Sequence, residues 1–189
     1  MTTSKYTTSD FLTPEELNRL IRYFNKLGNH QMELLIEFGS KSLLRYSDLS
    51  RIRWSDVLGM ESLCLNESKT KKRREITLGV TLRKRIEMVY NQLGEPNNEE
   101  FIFSYSLQYV NRLLKEGVKD VKIRNKNISS HSFRKSGSRF IWESNGNSDE
   151  YLIKLSSILN HSSTSITRRY LGISKEEIKN IYDSFDELL

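Results

Sequence analysis

Apolar residues recur at helical spacing from the start of the ordered pattern: Leu17, Leu20, Ile21 and Phe24 fall three or four positions apart behind Thr13-Pro14-Glu15-Glu16. That tetrad predicts a helix start. A threonine hydroxyl can cap the N3 amide, the N3 glutamate can reach back, and proline is preset for the first turn. Gly28-Asn29 ends the segment. The same spacing predicts a second helix over residues 30–40, with Leu34, Leu35 and Phe38 inward, and a third over 46–52 after a turn at Leu43-Leu44-Arg45. Residues 62–66 and 74–78 read instead as strands, an antiparallel hairpin around the basic tip Lys69-Thr70-Lys71-Lys72-Arg73. The connection exceeds a two-residue turn, so a mobile tip is expected. A basic helix over 80–93 is stopped by Gly94-Glu95-Pro96-Asn97-Asn98. Further helices are expected at 106–116, 130–143, 149–159, 163–170 and 175–187, the last opened by a second capping box, Ser174-Lys175-Glu176-Glu177.

Residues 1–12 are rich in Thr and Ser without periodic apolar positions and predict a flexible arm or linker remnant. No repeat or second core is visible over 13–189. The fold class follows as mostly α (α+β): one helical domain with a small antiparallel sheet.

Composition sharpens this picture. At 189 residues with 37% hydrophobic content, the chain suits one ordinary core. Its net charge of +6 suits a polyanionic partner, because each neutralised phosphate releases condensed counterions. The single cysteine, Cys64, has no internal disulfide partner and predicts a reducing, cytoplasmic setting. No apolar run approaches the roughly 18 residues of a membrane span, so no membrane partner is expected.

Against that background a few residues carry chemistry. Tyr170 follows Arg168 and Arg169 and lies nine positions after His161. A phenol is a poor nucleophile at neutral pH unless cations or a base favour the phenolate, and these neighbours supply both. His131 and Arg134 share one helix face at a helix start, where anions are attracted. The arginine can grip two phosphate oxygens and the histidine can exchange a proton. Arg45 sits between apolar residues, with Asp48 within reach as a supporting counter-charge. Lys69, at the end of the first strand, is placed to act as a general acid. Lys71, Lys72, Arg73 and Arg74 on the hairpin, with Lys135, Arg168 and Arg169, read as a solvated face or as phosphate contacts, the second being the expectation. No metal or other cofactor is implied.

Taken in order, these segments resemble the catalytic domain of the tyrosine recombinases, the phage-integrase family. The family's first arginine and its Arg-Trp-Ser-Asp stretch are matched by Leu44-Arg45-Tyr46-Ser47-Asp48-Leu49 and Arg53-Trp54-Ser55-Asp56, and its hairpin lysine by Ser68-Lys69-Thr70. His-x-x-Arg is matched by His131 to Arg134, and Leu-Gly-His-Ser…Thr-x-x-Tyr by Leu159-Asn160-His161-Ser162…Thr167-Arg168-Arg169-Tyr170. The resemblance implies that Arg45, Arg134 and His161 hold the scissile phosphate while His131 assists proton transfer. Tyr170 would attack phosphorus, and Lys69 would protonate the departing 5′-hydroxyl, leaving a 3′-phosphotyrosyl link. It also implies duplex DNA as substrate, a tetrameric synapse assembled from monomers, and a prokaryotic, phage or mobile-element setting. A topoisomerase of type IB, or a DNA-binding regulator that has lost catalysis, are the alternatives.

The departures from the family pattern are local. Leu43 and Asn160 stand where the family usually has glycine, and the stretch between Arg134 and His161 is a few residues longer, at Ser144-Asn145-Gly146-Asn147-Ser148. Where the family usually has an amino-terminal DNA-clamping domain, a short polar arm precedes Thr13, and the expectation is either a stand-alone short recombinase or the catalytic part of a longer protein. Replacing Lys71 and Lys72 together is expected to weaken duplex binding on every sequence and to lower the salt slope by about 0.9 for each phosphate that is no longer neutralised. Titrations across a salt series check this, and an unchanged slope would remove the hairpin from the DNA-binding surface.

Overall fold

The computed structural model describes residues 8–185, with the side chains of residues 174–177 excepted. The elements run α1 (Pro14–Lys26), α2 (His30–Ser42), α3 (Tyr46–Leu49), a 3₁₀ turn (Trp54–Asp56), β1 (Ser62–Asn66), β2 (Arg73–Thr77), α4 (Val80–Gln92), α5 (Leu107–Asp120), α6 (Ser130–Ser144), α7 (Asp149–Leu159), α8 (Thr164–Leu171) and α9 (Ile173–Phe185). The expected class, mostly helical with one antiparallel hairpin, is the observed one. The 3₁₀ turn is an addition, and α5 runs past the expected end at 116. Where one unit was expected, the chain forms two compact units, divided after Gly137 within α6.

In the first unit α1 starts as its sequence dictates. Thr13 Oγ1 accepts from the Glu16 amide at 3.2 Å, and the Thr13 amide donates to Glu16 Oε2 at 2.8 Å. Leu20 and Phe24 are buried beneath it. Helix α2 is buried more completely than a one-sided stripe predicts: Met32, Leu34, Leu35, Ile36, Phe38 and Gly39 are all enclosed. One charge is enclosed with them. Glu33 is 2% exposed and is paired with Arg85 and, at 3.2 Å, with His30.

From Asp10 onward, the segment expected as an arm is fastened to the rest of the unit. Leu12 is buried, its amide donates to Ser136 Oγ at 2.7 Å, and the Asp10 amide donates to the Asn127 carbonyl at 2.9 Å. Residues 1–7 lie outside the described residues, as do the side chains of the second capping box at Ser174. The hairpin pairs Ser62 with Thr77 through Asn66 with Arg73, one residue from the expected boundary.

Helix α6 lies against the end of α2 with almost no space between their backbones. A methyl group at Gly137 would stand 1.9 Å from the Ser40 carbonyl oxygen and 2.7 Å from Leu43 Cδ2. Only glycine allows that approach.

The second unit buries Leu152, Leu155 and Leu159 of α7, then Leu171 and Ile173. The polar insertion is a tight turn through Gly146 and Asn147, both at positive φ, and Ser148 caps α7 by accepting from the Tyr151 amide. The carboxy-terminal helix leaves Ile178, Ile181, Tyr182 and Phe185 more than half exposed. Among the described residues no helix is long and apolar enough to cross a membrane.

Gly137→Ala is expected to destabilise the protein by about 3 kcal/mol, because the nearest atoms are backbone and cannot rotate away. Thermal or denaturant unfolding measures it. A loss below ~1 kcal/mol would mean the two helices can separate at little cost.

Candidate active site

The local path of the chain sets Arg45 first. Leu43 ends α2 in the left-handed conformation, φ 55°, and Arg45 is extended as it caps α3. The reversal turns Arg45 back toward the hairpin. There its Nη1 donates to Glu67 Oε2 at 3.2 Å. Asp48, expected as the partner of Arg45, instead accepts from the amide and hydroxyl of Ser68 at 2.7 and 2.5 Å. Asp48 therefore fixes the hairpin base, and Glu67 supplies the counter-charge. The sequence carried a signal for this: Leu63, Leu65 and Glu67 alternate on one strand face, and Leu63 and Glu67 are both buried. A carboxylate in phase with core leucines must be paired.

Arg74 follows the same logic. Expected among the DNA-facing cations, it turns inward on the face of Ile76 and Leu78. It donates to Glu67 Oε1 at 3.2 Å and to the Ser42 and Leu43 carbonyls at 2.7 and 3.3 Å. Burial pulls its pKa below the ordinary value, and the hydrogen bond to Glu67 offsets part of that. Lys135, also expected to contact DNA, is buried and donates to the Ser9 carbonyl at 3.0 Å. Lys69, Lys71, Lys72 and Arg73 remain exposed at the tip.

His131 and Arg134 lie on the first turns of α6. Arg134 is 1% exposed, whereas His131 reaches solvent. Packing around the imidazole lowers its pKa, and the charges of Arg134, Arg45 and Lys69 lower it further. Thus four of the expected catalytic residues, drawn from α6, the α2–α3 turn and the hairpin, lie within electrostatic reach of one another. The outcome is a strongly cationic locus around a histidine held neutral at pH 7.

In the second unit the other two pair. His161 follows Asn160, which ends α7 in the left-handed conformation at φ 55°. Its Nδ1 lies 2.9 Å from Thr167 Oγ1, and its ring meets Tyr170 edge to face at a centroid distance of 5.3 Å. Thr167 was not foreseen as a partner, although it belongs to the Thr-x-x-Tyr stretch. Tyr170 is half-buried near the end of α8, where Arg139 donates to the Leu171 carbonyl at 3.0 Å. Arg168 contacts Asp149 at 2.9 Å, and Arg169 is exposed. Among the described residues no three His, Cys, Asp or Glu side chains group around a potential metal position.

Comparison with known proteins places the sequence and the fold. Residues 10–177 match the model of the phage integrase family. The chain is 30% identical over 181 residues to the probable integrase/recombinase YoeC of Bacillus subtilis (strain 168), covering 92% of this chain and 94% of that one. It is 27% identical over 174 residues to a tyrosine recombinase of Thermosipho africanus (strain TCF52B), covering 89% of this chain but 59% of that protein. Its fold matches that of a lambda integrase tetramer bound to a Holliday junction, with a TM-score of 0.62 at 18% identity, over 87% of this chain and 50% of that one. The matched length, the shared fold and the order of the site residues lead to one assignment: the chain belongs to the phage integrase family.

Proposed function

We propose that the protein is a site-specific DNA recombinase that cuts and rejoins duplex DNA through a 3′-phosphotyrosyl intermediate. The observation that carries this reading is the cationic locus of Arg45, Lys69 and Arg134 around His131, in a family member that also carries the His161–Tyr170 pair. A phosphodiester in transit gains negative charge on its non-bridging oxygens, and fixed cations stabilise that charge most where water is scarce. In this reading Arg45, Arg134 and His161 hold those oxygens. Tyr170 attacks phosphorus, and its P–O bond replaces the bond to the 5′-oxygen, which leaves as a hydroxyl with a proton from Lys69. His131, neutral at the working pH, assists proton transfer at the nucleophile. Arg134 is buried in the DNA-free protein, so engaging phosphate has to uncover it. The covalent link retains the phosphodiester energy, and a second 5′-hydroxyl reverses the attack to join a new strand.

The exposed apolar row Ile178, Ile181, Tyr182 and Phe185 supports self-association, with free monomers assembling on DNA. A cytoplasmic location, on DNA in a prokaryotic cell, accompanies this function.

A pool of nicked duplexes with randomised sequence beside the nick supplies the test, because the severed short strand diffuses away and traps the intermediate. The wild type is expected to give a denaturant-resistant protein–DNA adduct, and Tyr170→Phe to reduce it by ~10⁴-fold or more. Adduct formation by Tyr170→Phe would reassign the nucleophile. Arg134→Lys keeps the charge but loses the bidentate fork, and is expected to slow adduct formation about 10²-fold while duplex binding stays nearly intact. Equal loss of binding and cleavage would reduce Arg134 to a positioning contact.

A further inference from the structure

Glu67 has more to do than close a hairpin. Its side chain is fully buried, and its two oxygens divide their work: Oε1 accepts from Arg74, while Oε2 accepts from Arg45 and, at 2.8 Å, from Thr70 Oγ1. Arg74 in turn clasps the carbonyls of Ser42 and Leu43, the residues that launch Arg45. The backbone of Glu67 also closes the tip, accepting from the Lys71 amide at 2.9 Å and donating to the Lys72 carbonyl at 3.0 Å. Lys69 sits inside that loop with both neighbours tied, Ser68 to Asp48 and Thr70 to Glu67.

Holding a hairpin against a helix end does not require an ion. Apolar residues of similar volume do that equally well or better, because a buried carboxylate must first lose its water. What a carboxylate adds is direction. It orients a guanidinium along fixed hydrogen bonds, and it can accept a hydroxyl at the same oxygen. Besides Arg74, it touches the phosphate-gripping Arg45 and the residue next to the proton-donating Lys69.

We propose that Glu67 is a positioning residue for strand cleavage, which aims the Arg45 guanidinium directly and, through Thr70, sets the loop that carries Lys69. The proposal rests on the recombinase reading above. Glu67 touches neither the phosphate nor the leaving oxygen. It acts by removing the freedom of the two groups that do, and a small misplacement of such groups costs a large factor in rate.

The test compares wild type, Glu67→Gln and the double variant Glu67→Gln/Arg74→Gln, all as the full chain, on the nicked-duplex pool. Glu67→Gln is expected to form adduct about 10²-fold more slowly, with duplex binding little changed. It also leaves two guanidiniums against one neutral amide, a loss of stability unrelated to cleavage. The double variant removes that excess charge and is expected to regain thermal stability while staying as slow as the single one. If adduct formation recovers together with stability, Glu67 is merely structural and the proposal fails. A substrate with sulfur in place of the 5′-bridging oxygen needs no proton from Lys69. It is expected to recover part of the lost rate and leave the part owed to Arg45, whereas no recovery would remove Lys69 from the influence of Glu67. Side-chain NMR of Arg45 in the DNA-free protein separates this proposal from the recombinase reading. Hindered guanidinium rotation in wild type and free rotation in Glu67→Gln are expected, and identical spectra would overturn the positioning role whether or not any adduct forms. Absence of adduct in the wild type would sink the recombinase reading alone, leaving those spectra to decide what Glu67 holds.

Discussion

A carboxylate sealed away from water has to be matched by cations in fixed places, and in this chain that constraint joins the hairpin to a stretch some twenty residues earlier, Ser42 to Arg45. Glu67 brings together the hairpin, the end of α2 and the turn that presents Arg45. An unpaired buried charge costs several kcal/mol, a large fraction of the stability of a domain this size. The segments are therefore held in one arrangement rather than several. The cationic locus inherits its order from this: Arg45, Lys69 and the charge field around His131 are only as well placed as the carboxylate beneath them.

A second constraint is steric. Gly137 lets α6 press its backbone against Ser40, one helical turn beyond Arg134 and two beyond His131. The ion pair and the glycine contact converge on the same short stretch, Ser40 to Arg45. One ties that stretch to the hairpin and the other to α6. Together they explain how side chains from separate elements can share an electrostatic neighbourhood although none of the four is adjacent in sequence to another.

The helices were legible because their signals are local: a capping box at Thr13, a breaker at Gly94, a Ser cap at Ser148. The site residues were legible as types in an order. Their partners were not. Asp48 looked like the mate of Arg45 because three residues on a helix is close, yet Arg45 is the cap of α3 and points away along an extended backbone toward Glu67. Arg74 and Lys135 looked like surface cations because they sit in basic runs, but strand alternation put Arg74 in phase with Ile76, and the fold of the amino-terminal segment brought the Ser9 carbonyl to Lys135. A run of charges says nothing about which member turns inward; the two-residue period does. Gly137 carried no comparable signal, since a glycine flanked by serines in a helix reads as a mild defect until the opposing carbonyl is known.

The two places where this chain departs from its family's glycines show how such constraints trade against one another. Leu43 and Asn160 both end helices in the left-handed conformation, and the residues they launch are Arg45 and His161. Glycine adopts that conformation without strain, and asparagine is among the least penalised alternatives, so Asn160 carries a small cost. Leucine carries a larger one, of order 1–3 kcal/mol. That cost is offset by what the side chain does next: Leu43 is 3% exposed and lies against the glycine face of α6, filling space that a glycine would leave empty. Its carbonyl meanwhile accepts from Arg74. A strained residue persists where its surroundings over-determine it, and here the surroundings are the two interactions that hold the cationic locus together.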